Sequence, residues 1–397
     1  MSSQEVANSL EVEEGPSRSY AREVLADTFG SWRARLGAVW IGILVLMAVF
    51  APLIANSQPI LLKMHGKWSS PLLENLTAVD VMLLILATAG LVLLALRRVV
   101  WRRRAAMLLV AGVVLSAVLA LLLVRPPETV VYERYRVAKK AGEVEYVLYT
   151  PIPYSPTDRL RDQPGTRLSP PSAEHWLGTE VNGADVLSRM IHASRIALSI
   201  GFISTGIAVA IGVVVGGIMG YFAGRVDMVG MRLVEIFEAI PTLFLLITFV
   251  AFFERSLYMI MVIIGLVGWT GNARFIRAEF LKLRKQDFVQ AAIAAGLPLR
   301  SVLFRHMLPN GITPVLVSAS FGVASAILAE ATLSFLGLGL VDEPSWGQML
   351  EQARSVGGTF TWWMAIFPGL AIFLTVFAYN MVGESLRDAI DPRIRKE

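Results

Sequence analysis

Long apolar runs separated by short basic stretches set the rhythm of this chain. Eight of them reach about 20 residues or come close, which at 1.5 Å of rise per residue is roughly 30 Å, the thickness of a bilayer core. They lie near Leu36–Ile54, Val79–Leu96, Ala105–Val124, Ala197–Gly220, Val229–Phe252, Leu257–Gly271, Thr313–Ala331 and Trp362–Met381, the sixth being the shortest. The pattern predicts an all-α integral membrane protein with about eight transmembrane helices. Before the first run, Ser19–Ser31 places Tyr20, Val24, Leu25 and Phe29 as the apolar residues of an amphipathic helix. Such a helix either lies along the membrane surface or simply leads into the first span. The preceding residues, to about 18, are acidic and polar and are expected to be disordered.

The core of the longest polar interruption in the C-terminal half is Lys285–Pro309, KQDFVQAAIAAGLPLRSVLFRHMLP. Lys282, Arg284 and Lys285 open it. A small-residue helix through Ala291, Ala292, Ala294 and Ala295 is predicted to stop at Gly296. Pro298 suits a first helical position, and a second short helix should run to His306 and close at Pro309 and Asn310. This helix–break–helix has the form of a handle for a partner.

Charge placement fixes an orientation. Arg22, Arg33 and Arg35 precede the first run and put the N-terminus in the cytoplasm. Counting forward, the five-arginine turn Arg97–Arg104, the loop at Arg225, the basic loop Arg274–Arg305 and the tail Arg387–Lys396 all fall inside. An even count of eight, with both ends cytoplasmic, is the consistent answer. Of the outside loops, Arg125–Ser194 is the longest. Within it VVYERYRVAKKAGEVEYVLYT alternates bulky residues about a Lys-Lys-Ala-Gly-Glu turn and predicts a β-hairpin, with PIPYSP as a rigid extended linker after it. Asp342–Gly358, which carries Trp346, is a second outside loop.

Composition removes whole classes of function. Of 397 residues 55% are hydrophobic and 17% charged, and none is cysteine, which excludes disulfides and thiolate chemistry. The net charge is +5, but the arginines sit at membrane borders, so no nucleic-acid partner is expected. The N-terminus lacks a basic n-region with an adjacent apolar core, so the first span is expected to act as an uncleaved anchor. His65, His175, His192 and His306 are scattered without ligand spacing, and no metal site is expected. No nucleophile motif forms, and no GxxxxGK[ST] phosphate loop occurs, so an ATP site in this chain is not expected.

At this point the residues resemble a known family. QAAIAAG, nine further residues and then His306-Met307-Leu308-Pro309 resemble the cytoplasmic motif of permease subunits of ATP-driven, binding-protein-dependent importers. Ala291, Ala292, Gly296, Leu308 and Pro309 fit it, while Gln290 stands where the family usually has Glu. His175–Gly201 is similar to the stretch leading into the permease core of dipeptide and oligopeptide importers, with Ala184 where an Arg usually stands. Gly220–Pro241, Glu330–Leu340, Pro344–Leu350 and Phe367–Arg393 resemble the same branch, and ANSQPILLKMHGKW and PIPYSP the sub-branch handling larger oligopeptides or peptide-like antibiotics.

The resemblance implies a six-helix type I importer core plus an extra hairpin at 79–124, whose role is open. It divides the chain into a tail and amphipathic helix (1–35), the first span plus hairpin (36–124), a periplasmic insertion (125–195), the permease domain (196–385) with its coupling loop (273–311), and a cytoplasmic tail (386–397). Gln290, Ala291, Ala292, Ala295, Gly296, Leu299, Arg300, Arg305, Leu308 and Pro309 would form the coupling surface for a separate ATPase. That subunit would carry ATP and Mg, with no cofactor in this chain. The implied partners are a second permease, one or two ATPase subunits, a periplasmic or lipid-anchored binding protein and membrane lipid, in a bacterial inner membrane. The competing class is a self-sufficient secondary transporter or channel, for which no internal repeat or paired discontinuous helices are evident.

A few polar and small residues inside the runs remain open. Glu330 is read as structural or gating in preference to substrate contact, and Pro241 and Pro368 as kinks or ends that help line a pathway. Glu235 and Glu238 are expected to pair locally, near Arg232. Gly212, Gly216, Gly217 and Gly220 form either an interface with a second permease or internal packing.

Overall fold

A computed structural model describes residues 20–95, 103–124, 127, 130–253, 255–340, 343–355 and 360–390. The acidic N-terminus, most of the five-arginine turn and the basic tail beyond 390 lie outside them. The chain is mostly helical. Four helices are long and apolar enough to cross a membrane: Trp32–Ile54, Val186–Phe222, Thr313–Phe335 and Trp362–Ile390. Two bent pairs bring the number to six, Gly224–Ala239 with Thr242–Phe252 and Leu257–Val267 with Trp269–Leu283. Two shorter apolar stretches, Ala78–Val92 and Val110–Ala120, fall in the expected hairpin. All eight predicted runs therefore fall on helices, though two are broken.

In chain order α1 (Tyr20–Gly30) leads into α2 (Trp32–Ile54), whose first turn is capped by Ser31, the hydroxyl accepting from the Ala34 N–H at 3.1 Å. In α1, Val24 is buried and Leu25 and Phe29 are exposed, so the helix rests one side on the protein and turns apolar residues outward. After a short hairpin, β1 (Leu61–Met64) and β2 (Lys67–Ser69), come the single turn α3 (Pro71–Glu74), then α4 (Ala78–Ala95) and α5 (Arg103–Leu123). In the extra pair α4–α5, α4 packs on α2 and is tied to the rest by Asp80, which lies 2.5 Å from an Arg195 nitrogen. Arg195 also donates to the Ala48 carbonyl of α2 at 3.0 Å, so one guanidinium joins three helices.

The insertion corrects one expectation. Arg134–Lys140 is a helix, α6, and only Val144–Leu148 is a strand, β3, which pairs antiparallel with β1 rather than with its own neighbour. The sheet order is β2-β1-β3, with Leu62 opposite both Ser69 and Val147. The tight hairpin is thus β1–β2, turned through His65 and Gly66 at positive φ. Alternation misled because Arg, Ala and Lys are strong helix formers and the true strand partner lies about 80 residues earlier. The Pro-rich stretch after β3 is extended but not free: Tyr154 and Ser155 are buried, and the Tyr154 carbonyl accepts from Ser188 Oγ at 2.7 Å.

The core is built on α7 (Val186–Phe222), about 55 Å long at 1.5 Å per residue and so longer than a bilayer core is thick. Asp185 caps it, accepting from the Ser188 N–H at 2.8 Å, and its second oxygen meets His175 Nδ1 at 2.9 Å. The helix begins eleven residues before the predicted run, and these first turns pack against the insertion. Then come α8 (Gly224–Ala239), α9 (Thr242–Phe252), α10 (Leu257–Val267) and α11 (Trp269–Leu283). α12 (Asp287–Ala294) and α13 (Leu299–Ser301) follow, then a π-helical turn Val302–Met307, α14 (Leu308–Gly311), α15 (Thr313–Phe335), α16 (Trp346–Ser355) and α17 (Trp362–Ile390).

The glycine stripe of α7 packs inside the chain. A Cβ added at Gly212 would stand 2.5 Å from that of Asn272, and one at Gly220 the same distance from that of Phe280, both on α11. Backbone of α11 is the obstacle at Gly216. Of the two readings, internal packing is the one observed. A similar crossing joins α2 to α17, where a Cβ on Gly37 would meet the Ala378 carbonyl at 2.7 Å.

Candidate functional site: the polar hairpin between α11 and α15

The interruption folds as two short helical pieces pinned to the bundle. Val289 and Ala292 of α12, Val302 and Met307 of the π turn, Ile276 and Phe280 of α11 and Val315 of α15 form one buried cluster. On α12, this leaves Phe288, Ala291, Ile293, Ala294 and Ala295 on the outside. Leu297 and Leu299 continue the exposed apolar surface, and Arg300 and Arg305 stand exposed beside it. Ala292 therefore does not belong to the outward surface expected of it. The exposed small positions are Ala291, Ala294 and Ala295.

Gly296 breaks the hairpin at φ +73°, with open space where a Cβ would be. Its N–H bonds to the Ile293 carbonyl, and that of Leu297 to the Ala292 carbonyl, which closes the end of α12. Pro298 is the cap of α13 rather than its first helical residue, with extended ψ of 146°. Pro309 does not close the second helix. The chain widens into the π turn, with the Leu308 N–H reaching the Leu303 carbonyl, and stays helical through Gly311. A proline ring has no N–H to give the carbonyl four residues back and clashes with it, and one wider turn relieves both problems. Leu308 is half-buried under the hairpin and Pro309 is exposed.

Gln290 folds back on its own loop, its Nε2 donating to the Arg284 carbonyl at 2.6 Å. Arg284 in turn donates to the Tyr221 carbonyl at 3.1 Å, near the end of α7. Asp227 of α8 is bridged bidentately by Arg277 of α11. The hairpin, α7 and α8 are thus linked by polar contacts on one end of the bundle. Arg232 pairs with Glu235 as expected, but Glu238 reaches across to Arg274 of α11.

Glu330 is buried, 2% exposed, and meets no cation among the described residues. Ser334 Oγ donates to its Oε1 at 2.6 Å, and Ser345, before α16, also hydrogen-bonds it. A Cβ on Gly347 would lie 2.7 Å from Ala331 Cα. The carboxyl sits where α16 closes on α15, which favours the structural reading. Pro241 caps α9 at an 83° bend from α8, and Pro368 lies buried within α17. The hairpin, Glu330 and the two prolines are not gathered into one site. Sequence reasoning missed a cleft beside Thr242, where Thr205, Asn272, Ser318 and Ser325 stand among apolar residues such as Leu246, Ile264 and Phe321; the Ser-Gly-Ser spacing within α15 was its only signal.

Residues 212–396 match the family described as binding-protein-dependent transport system inner membrane component. The dipeptide transport system permease protein DppC of Alkalihalophilus pseudofirmus is 38% identical over 233 residues, 58% of this chain and 76% of the relative. The oligopeptide transport system permease protein OppC of Haemophilus influenzae is 40% identical over 223 residues, 56% and 71% of the two chains. The inner membrane ABC transporter permease protein YejE of Escherichia coli is 30% identical over 357 residues, 89% of this chain and 92% of the relative. The chain belongs to this permease family, the non-catalytic membrane component of ABC transport systems that work with a binding protein and an ATPase. It is a multi-pass membrane protein.

Proposed function

We propose that this chain is one of two permease subunits of an ATP-driven importer in a bacterial inner membrane, and that its solutes are peptides delivered by a binding protein. Its termini would lie in the cytoplasm and residues 285–309 would dock on the separate ATPase. One observation carries the docking: α12 is pinned by Val289 and Ala292 yet turns Phe288, Ala291, Ile293 and Ala295 away from the protein. Apolar side chains beside small ones, rimmed by Arg300 and Arg305, suit a shallow groove with acidic edges. The peptide class is supported by the relatives, named for dipeptide, oligopeptide and glutathione transport.

The test is co-purification of the assembled importer. Ala291 is exposed, so Ala291→Arg should leave the thermal unfolding of the permease unchanged while recovered ATPase and peptide uptake fall at least tenfold. Undiminished assembly and uptake would sink the docking.

A further inference from the structure

Between α7, α9, α10, α11 and α15 lies a cleft of about 290 Å³, at the lower end of the ordinary size for ligand pockets, its polar side chains set in a mostly apolar wall. The described residues lining it include no Asp, Glu, Lys, Arg or His. Two of its polar side-chain atoms have no partner. Thr205 Oγ1 and Asn272 Oδ1 are buried without a hydrogen bond, in residues 7% exposed each. Asn272 sits at the close crossing under Gly212, and Gly322 gives Thr205 its room, a Cβ there standing 3.0 Å from Thr205 Cγ2. Ser318, Gly322 and Ser325 follow at four- and three-residue steps on one face of α15, and Ser325 is exposed near the middle of that span.

Unsatisfied polar atoms are costly in a hydrocarbon surround, and an exposed hydroxyl halfway along a span suits water or a polar occupant. We infer that this cleft is a hydrated stretch of the solute path, where Thr205, Asn272, Ser318 and Ser325 hold a peptide by its backbone amides. Uncharged donors and acceptors match the one group all peptides share, and without a fixed charge the cleft does not select among side chains. The inference rests on the reading of the chain as a peptide importer permease.

The chain has no cysteine, so a single one placed in it is this subunit's sole thiol, and the importer carrying the unaltered chain gives the background labelling. Ser318→Cys and Ser325→Cys should react with a membrane-impermeant maleimide at least tenfold faster than Ile203→Cys, which is 47% exposed, level with Thr205, and not part of the cleft. Trialanine added with the binding protein should slow that labelling. Asn272→Leu should cut trialanine uptake about tenfold while the unfolding temperature holds or rises, because it removes an unpartnered buried polar group. A structural asparagine would instead lose stability. Failure of Ser325→Cys to label in the assembled importer, as when a partner subunit covers the cleft, overturns the inference, and so does unchanged uptake by Asn272→Leu. If the cleft labels but the wild-type importer takes up no peptide, the peptide reading falls and the hydrated path stands.

Discussion

Gly296 and Gln290 sit six residues apart and illustrate how differently single positions speak. At Gly296 the left-handed backbone is the whole constraint, because a Cβ there meets nothing. Gly296→Ala should therefore destabilise the hairpin by about 1–2 kcal/mol through backbone conformation alone, and Gly296→Asn by less. Thermal unfolding and amide exchange across 285–309 would check the order; equal stability for glycine, asparagine and alanine would refute it. This position was legible because only a glycine after a run of alanines explains the stop. In the sequence Gln290 stands in the place of an acid, yet its amide donates to the Arg284 carbonyl, which a carboxylate cannot do. The burial of Ala292 was not legible either, since an alanine faces in or out according to how the whole helix lies.

Helices were the easiest elements to read and their bends the hardest. A run of apolar residues marks a span whether straight or broken, so hydropathy alone could not separate α8 from α9, which meet at 83° beside Pro241. The same blindness covers the π turn: in the sequence Pro309 reads as a stop, but the chain widens before it and stays helical through Gly311. Helix-to-helix approach is more demanding than span formation. At Gly216 any side chain runs into the backbone of α11 at Ala273, and backbone cannot be moved aside as a rotamer can. Gly216→Val should accordingly cost the 1–3 kcal/mol typical of overpacking, roughly, or abolish folded protein in the membrane altogether. Gly206→Val on the same helix meets open space and should be recovered at wild-type level. Fluorescence-detected size exclusion of the two variants decides the matter, and equal recovery would show that the stripe is not the packing seam.

On the scale of the whole molecule, the polar insertion is fastened to the helix bundle by part-buried polar contacts together with apolar ones such as Ile152 against Ala51, Ala55 and Ile191. Trp363 donates to the Thr179 carbonyl at 3.2 Å and Arg189 to that of Pro156 at 3.1 Å, while Trp346 on the Met190 carbonyl and Gln348 on Arg189 brace the same turns of α7 from α16. Within the insertion, Arg136 lies 2.6 Å from Asp158 and 2.7 Å from Asp162, with side chains only 11%, 2% and 7% exposed. Removing one member of a buried pair strands a charge, so Arg136→Ala should destabilise the insertion by about 3–5 kcal/mol. Hydrogen bonding and proximity to Arg136 hold the Asp162 carboxyl below the usual carboxylate range, whereas in the unfolded chain it titrates near 4. Its contribution is therefore complete above the unfolded pKa and is lost as pH falls through the lower, folded one. Tryptophan fluorescence of the purified protein should show the insertion loosening at acid pH, while the helix content of the bundle persists. In Arg136→Ala the depression of Asp162 is gone and its share of the pH dependence with it, so the insertion should already be loosened at neutral pH and its acid transition should be weaker; identical acid transitions in the two proteins would show that this cluster does not hold the insertion together.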